Sequence, residues 1–367
     1  MVVLDAHGRS TVRNDPFLTM PAVSPTLAPA PRPRARLAGR RNAHSELARL
    51  RRARAISAAD YRRYLGSLDA AAATARRLQG TRAVELNAVL ANISQIASAG
   101  VLTTSRLKVL FLTLENNRRW WSTGPLLSYG QRVEFTGSQL VWEYYPGQGI
   151  ELQELGSFGK ADGMYTGGRK LYSTMRRLLA ELIPLAAHRG GGLTWEYYCQ
   201  FDGGIPPWTS AMSQATALLA LTRAYMAFHI RYYLGIARRA MPIFGERPPA
   251  GVSVTTPRGL RFLLYSFAPQ PSQAVLNGFL QTLIGLHDYS QVSGDRHAAR
   301  LFAAGDAEAR FEVPQYDTGS WSLYQPGELS SVDYHVLVTS FLHELCDRTH
   351  ARVYCQTAAR FDGYLHH

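Results

Sequence analysis

The sequence predicts a mainly α-helical protein, an incomplete (α/α) toroid or barrel with short antiparallel aromatic strands in the linkers between helices. Two observations point there. Apolar residues recur at three- and four-residue steps over nine long segments. Between them stands a recurring aromatic, extended element: WEYY at 142–145 and again at 195–198, RFLLYSF at 261–267 and WSLY at 321–324. Each is followed by a turn containing Pro or Gly before helix resumes. Their spacing of roughly 53 to 66 residues accommodates one helical hairpin per repeat. Hairpins set in a ring gather such linkers at one end, where Tyr and Trp offer faces suited to stacking on sugars.

Residues 1–36 are rich in proline and poor in periodic apolar positions, so residues 1–55 read as a disordered Pro/Arg-rich tail. Residues 56–367 read as one α/α-toroid domain. Its first helix lies in SAADYRRYLGSLDAAAATARRL (57–78), with Ser57 as N-cap. Periodicity predicts further helices at 81–99, 103–119, 166–188, 209–227, 229–242, 272–291, 295–310 and 329–346.

A chain of 367 residues that is 46% hydrophobic can bury a sizeable core. Its formal charge of +13 is unevenly placed: residues 1–54 hold eleven arginines against Asp5, Asp15 and Glu46, a balance of +8, which leaves +5 for the rest. Only Lys108, Lys160 and Lys170 stand among the forty cations, so arginine richness reflects coding bias and no nucleic-acid partner is expected. Cys199, Cys346 and Cys355 cannot all pair within the chain, and no disulfide framework is implied. No apolar run approaches the roughly 18–20 residues of a membrane span, and no h-region follows the twin arginines at 40–41 and 51–52. The compartment is therefore unassigned: cytoplasmic by default, exported if the start site is mis-assigned.

Several motifs exclude themselves. In HELCDRTH (343–350) the two histidines are seven residues apart, so they do not share the helical face that a zincin needs, and no metal is expected. GMYTGGRKL (163–171) lacks the GK[ST] ending of a nucleotide loop, and RGGG (189–192) fits a helix C-terminus. The basic run ARLRRARA (48–55) reads as a solvated helix face, and no GxSxG elbow is present.

The segment PQYDTGSWSLYQPGELSSVDYHV (314–336) is different in kind. Pro314, Gly319, Pro326 and Gly327 break any helix, so its three tyrosines, two aspartates, tryptophan and histidine stand on irregular backbone, where binding groups collect. Taken with QAVLNGFLQTLIGLHDYSQVSGD (273–295) and VDYH (332–335), it resembles the C-terminal catalytic domain of the D-glucuronyl C5-epimerase family. WEYYCQFDGGIPPWTSAMSQATALLALTRAY (195–225) resembles the preceding helix of that domain, and WEYYPGQGIELQELGSFGKAD (142–162) more weakly an upstream strand and loop. The resemblance is strongest over 195–345.

The resemblance implies an isomerase that inverts C5 of glucuronate in a heparosan-like or heparan-type acidic polysaccharide, with no cofactor, and that works as a homodimer. Removing a hydrogen beside a carboxylate and returning it from the other face calls for two acid/base groups on opposite sides of one ring. The family's catalytic tyrosines fall on Tyr324 and Tyr334. A phenol with a pKa of about 10 is a poor base at neutral pH, so one must be held as phenolate by cations or hydrogen bonds. Family substrate contacts fall on Tyr265, Asn277 and His335; Trp208 and Tyr145 are read as sugar platforms, and Arg261, or Arg258 from the same strand, as a carboxylate partner. Two positions depart from the family: Leu264 stands where an acidic residue is usual, and Gly327 where the animal enzymes carry Arg. They keep open a catalytically silent glycan-binding protein on the same scaffold, beside the third reading of a uronate polysaccharide lyase.

Overall fold

The computed structural model describes residues 1–15, 17, 41–267 and 274–366. These fall into two compact units interleaved in sequence: residues 1–157, 176–187 and 196–208 form the first, and 158–175, 188–195 and 209–367 the second.

The first unit packs α1 (Ala43–Arg52), α2 (Ala58–Arg77), α3 (Gly80–Ser98) and α4 (Thr104–Thr123) as a helical cluster. The Ser57 side chain caps α2 as the sequence predicts, accepting from the Asp60 N–H. Beside the helices is a five-stranded sheet in the order β2-β1-β3-β4-β5, built from β1 (Val2–Leu4), β2 (Ser10–Val12), β3 (Arg132–Phe135), β4 (Trp142–Tyr145) and β5 (Gly149–Leu152). Strand β1 runs parallel to β3, and the other pairings are antiparallel. The reading of 1–55 as a disordered tail is corrected here. Val2, Val3 and Leu4 are buried against β3, and α1 opens on an Asn42–Ser45 capping box and buries Leu47 and Leu50. The proline-dense residues 18–40 lie outside the described residues.

Two helix side chains clamp the β4–β5 turn. The Glu85 carboxylate accepts from the N–H groups of Gly147 and Gly149 and from the Tyr144 hydroxyl. The Asn117 amide exchanges hydrogen bonds with Ile150 N–H and C=O. Gly149 sits at φ +86, where a Cβ would meet Val89 at 2.6 Å and Asn117 at 2.7 Å, so the position needs glycine twice over.

The second unit is built on three helical hairpins. Helices α7 (Ala211–Phe228), α9 (Leu276–Ser293) and α11 (Val332–Thr349) are each 18 residues long. Each ends on a left-handed residue, His229, Gly294 and His350 respectively. Each is then followed by α8 (Arg231–Ala240), α10 (Arg296–Glu312) or α12 (Arg352–Tyr364). Helix α9 packs against α7 on one side and α11 on the other, while α8, α10 and α12 each cover the helix that precedes them. This is an open arc of α/α hairpins, part of a toroid. The contact between α7 and α9 is close because Gly285 stands against the Ala215 carbonyl, where a Cβ would collide. Burial on nearly every face explains why α7 and α9 read as almost continuously apolar.

The linker strands are shorter than the aromatic runs suggest. WEYY at 142–145 is β4, whereas WEYY at 195–198 makes only a bridge between Tyr197 and Trp208. RFLLYSF gives β9 (Leu260–Phe262), paired with β8 (Ser253–Thr255), and WSLY gives β10 (Leu323–Gln325), paired with β11 (Glu328–Leu329). Two further strands, β6 (Ala187–Arg189) and β7 (Gly192–Thr194), pair with each other, and α5 (Glu154–Thr166) and α6 (Tyr172–Leu182) complete the chain. The cysteines also correct an expectation: Cys346 of α11 and Cys355 of α12 form a disulfide across the third hairpin, and Cys199 is the buried free thiol. No helix is long and apolar enough to cross a membrane among the described residues.

Candidate active site

Most polar groups of the turn-rich segment are spent on holding its own backbone. Tyr316 is buried and its hydroxyl donates to the Ala274 carbonyl. Asp317 accepts from the Gly319 N–H, the Tyr364 hydroxyl and Arg360 Nε. Burial would raise its carboxyl, but Arg360 and these hydrogen bonds outweigh it and hold the pKa below the usual range. Trp321 Nε1 donates to the Ser330 carbonyl, and the indole stacks on the His335 ring with centroids 3.8 Å apart.

Two tyrosines of the segment remain half-exposed. Tyr324 lies on β10, whose hairpin turns at Pro326 and Gly327, the glycine at φ +83. Tyr334 lies in the first turn of α11, where the Ser331 side chain caps the helix by accepting from the Tyr334 N–H. The two rings come together, with centroids 4.8 Å apart and planes tilted by 50°. This corrects the expectation of phenols facing each other across a sugar-sized gap. Rings this close are in contact, and no pyranose fits between their faces.

The remaining expected site residues divide by unit. In the second, Tyr265 is half-buried just beyond β9 and stacks on Phe267 at 5.2 Å. Asn277, 3% exposed, lies in the first turn of α9 with its Oδ1 accepting from the Gly278 N–H. His335 is fully buried: Nδ1 accepts from Ser322 N–H and lies 2.8 Å from Ser322 Oγ, and Nε2 lies 2.9 Å from the Phe361 carbonyl. Both ring nitrogens are engaged, so the expected substrate contact from His335 is corrected to an internal one. Arg261 is occupied in part, its Nε 2.9 and 2.8 Å from the Glu312 oxygens and its Nη2 donating to the Tyr316 hydroxyl, while Nη1 is buried without a hydrogen-bond partner among the described residues. Burial raises the Glu312 carboxyl, and Arg261 opposes that rise. Arg258 stacks on Phe311.

In the first unit the two expected sugar platforms are interior. Tyr145 is buried, accepts from Gln153 Nε2 and packs edge-on to Phe201 and Tyr129. Trp208, 4% exposed, stacks on Tyr197 at 4.4 Å and donates from Nε1 to the Cys199 carbonyl. These placements correct the reading of both residues as exposed stacking surfaces.

The departures from the family pattern have structural counterparts. Leu264 is buried, and a Cβ on Gly278 would lie 2.8 Å from its Cδ1, so the side chain seals the start of α9. Gly327 occupies a turn position with positive φ that disfavours any L side chain.

Sequence reading missed the buried charges. In the first unit Glu143 and Glu151 face each other in register across β4 and β5, and Glu154 and Glu196 are buried with them. Burial raises the carboxyls of Glu143, Glu151 and Glu154, with Arg132 opposing it at Glu143. Glu196 pairs with Arg106 through two hydrogen bonds of 2.7 and 2.8 Å. In the second unit Asp162 pairs with Arg223, and Asp288 pairs with Arg348 at 2.7 Å. Burial pushes Asp162 up to about 6 despite Arg223. Burial acts on Asp288 too, but Arg348 and His287 outweigh it and hold that carboxyl at about 2. The signal was acidic residues at strand positions otherwise filled by Trp, Tyr and Ile.

Fold and loop together define a helical-hairpin protein that presents a tyrosine pair, one ring from the linker before its third hairpin and one from the first turn of that hairpin. Residues 190–363 match the family described as D-glucuronyl C5-epimerase C-terminus. That segment, just under half of the chain, resembles the C-terminal domain of the D-glucuronyl C5-epimerase family. It is similar to the D-glucuronyl C5-epimerase of Caenorhabditis elegans, with 32% identity over 186 residues, 44% of this chain and 30% of that protein. It is also similar to an uncharacterized protein of Methanocaldococcus jannaschii, 26% identical over 137 residues, which cover 36% of this chain and 44% of that one. The chain thus spans less than half the length of either relative. Among solved structures it resembles a cellobiose 2-epimerase from Bacillus thermoamylovorans at 11% identity and TM-score 0.41, over 58% of each chain. A family 76 mannosidase from Bacteroides thetaiotaomicron matches at 11% identity and TM-score 0.41, over 59% of this chain and 60% of that one. At those scores the structural likenesses carry no argument about function.

Proposed function

We propose that the protein is a uronosyl C5-epimerase-like isomerase that exchanges the C5 hydrogen of glucuronate within an acidic polysaccharide. The observation that carries this reading is the Tyr324–Tyr334 pair, half-exposed on a braced loop inside the family segment. One phenol of the pair removes or delivers the C5 proton, and its neighbour adjusts its basicity through the shared surroundings. Because the two rings touch, the opposite face of the sugar has to be served from outside the pair. Tyr265, half-buried beyond β9 in the same unit, is the candidate for that role.

The test is incubation with glucuronate polymers in deuterated buffer. Deuterium at C5 together with newly formed iduronate supports the epimerase, and exchange accompanied by unsaturated-uronate absorbance supports a lyase instead. No exchange from any uronate polymer overturns both.

A second reading, a catalytically silent glycan-binding protein, is favoured by the carboxylate clamp. Gly327 replaces the usual cation, Arg261 is committed to Glu312, and Arg258 lies on Phe311. It predicts saturable binding of acidic oligosaccharide that survives Tyr334→Phe, with no turnover by the parent protein.

A further inference from the structure

The geometry around His335 points to a role for it that requires no contact with substrate. We infer that His335 is a positioning residue, a buried bracket that holds the hairpin carrying Tyr324 against the helix turn carrying Tyr334. The inference rests on the proposed role of that tyrosine pair. His335 directly follows Tyr334 in α11, and its own N–H is fixed by the Ser331 carbonyl at 2.8 Å. On the other side, the Nδ1 atom receives the Ser322 N–H at 3.2 Å and lies 2.8 Å from Ser322 Oγ. Ser322 precedes Tyr324 by two residues, and its carbonyl accepts from Ser330 N–H, which ties both strands of the hairpin to the same point.

An Nδ1 that accepts from a main-chain N–H carries no proton, so the ring proton resides on Nε2 and is donated to the Phe361 carbonyl. These hydrogen bonds fix one tautomer of the imidazole in this arrangement. Trp321 covers one face of it, and Phe361 packs against the ring at 5.2 Å. Three chain segments, the β10–β11 hairpin, the start of α11 and the end of α12, therefore meet on one side chain with no exposed atom.

The two nitrogens can be separated by substitution. His335→Asn keeps an acceptor at the Nδ1 position and loses the Phe361 contact. His335→Gln keeps a donor near Nε2 and loses the Ser322 contact. If the bracket acts through Ser322, C5 deuterium exchange by the Gln variant falls about a hundredfold, as expected for misplaced acid/base groups. The Asn variant stays within about fivefold of the parent, both variants melt at similar temperatures, and their affinity for acidic oligosaccharide is unchanged. Equal losses of exchange in the two variants, or losses that follow melting temperature, overturn the bracket. The second measurement does not depend on turnover: 3-fluorotyrosine at position 324, read by fluorine NMR. The resonance keeps its parent position in the Asn variant and moves in the Gln variant toward that of Tyr334→Ala. A resonance that moves in both, or in neither, overturns the bracket. If the parent shows no C5 exchange, the epimerase reading fails by itself and the fluorine measurement still decides on the bracket.

Discussion

WEYY at 142–145 and WSLY at 321–324 look like two copies of one aromatic linker, yet they do opposite things. The first is fully paired in a five-stranded sheet, with Tyr144 under the Glu85 carboxylate and Tyr145 beside Glu143. Burial first, and those carboxylates second, push both phenols well above their ordinary pKa, so neither ionises at any working pH. The second lies on a short ladder, and its tyrosine is half-exposed against Tyr334. Aromatic pattern alone therefore does not mark a site. What separates the two stretches is whether neighbouring strands and acids close over the hydroxyl.

Substituting each phenol sharpens that comparison. Of Tyr334→Phe and Tyr324→Phe, the one that removes the proton-transferring phenol is expected to lower C5 exchange by about 10²–10⁴-fold, the range for a lost acid/base group, and the other by less, both with little change in melting temperature. Tyr145→Phe is expected to do the reverse. It leaves Gln153 Nε2 without its acceptor and lowers stability by about 1 kcal/mol, read by urea unfolding, with exchange preserved. Parallel losses of activity in all three variants would erase the distinction.

The next effect is on folding. Arg261→Ala leaves the half-buried Glu312 carboxylate unpaired and is expected to cost about 2–3 kcal/mol, whereas Arg261→Met with Glu312→Leu recovers most of that loss. An intact fold with restored glycan affinity in the single variant would instead show that the pair suppresses binding. Gly285→Ala comes third, at about 1–3 kcal/mol, because its methyl group meets the Ala215 carbonyl where α7 and α9 cross.

The smallest effect concerns pH, and two aspartates of the second unit give it opposite signs. Asp162 titrates near 6 in the folded chain against 3.8 in the unfolded one. Between those values the folded state holds a proton that the unfolded state has released, so its contribution falls as pH rises through the window and is level above it. Asp288, held at about 2 against 3.8, contributes above the unfolded value and loses that contribution as pH falls toward 2. Urea midpoints measured across this range should lose the first slope in Asp162→Asn and the second in Asp288→Asn.

The helices were legible where periodicity was undisturbed: α2, α3, α4, α7, α9, α10 and α11 stand near their predicted places, and Ser57 caps as expected. The predicted helix over 166–188 begins and ends differently, with α6 confined to Tyr172–Leu182 and α5 unforeseen before it. Helix α12 was missed because its buried face is only Tyr354, Thr357, Ala358 and Phe361. The Cys346–Cys355 bond was unreadable because it depends on the left-handed turn at His350, which folds α12 back on α11. The family resemblance pointed to Tyr324 and Tyr334 as the candidate pair, but it did not show that they touch. Residue type also misled for Trp208, Tyr145 and His335, because an aromatic ring serves a core as well as a sugar.

By itself the sequence determined most of the long helices and the position of a linker with unusual chemistry, because apolar period and helix-breaking residues act locally along the chain. Only the tertiary structure decided which side chains face outward, which carboxylates lose their solvent and which two phenols become neighbours. Those outcomes depend on contacts between residues far apart in sequence, and burial and charge pairing belong to the assembled environment rather than to any stretch of chain.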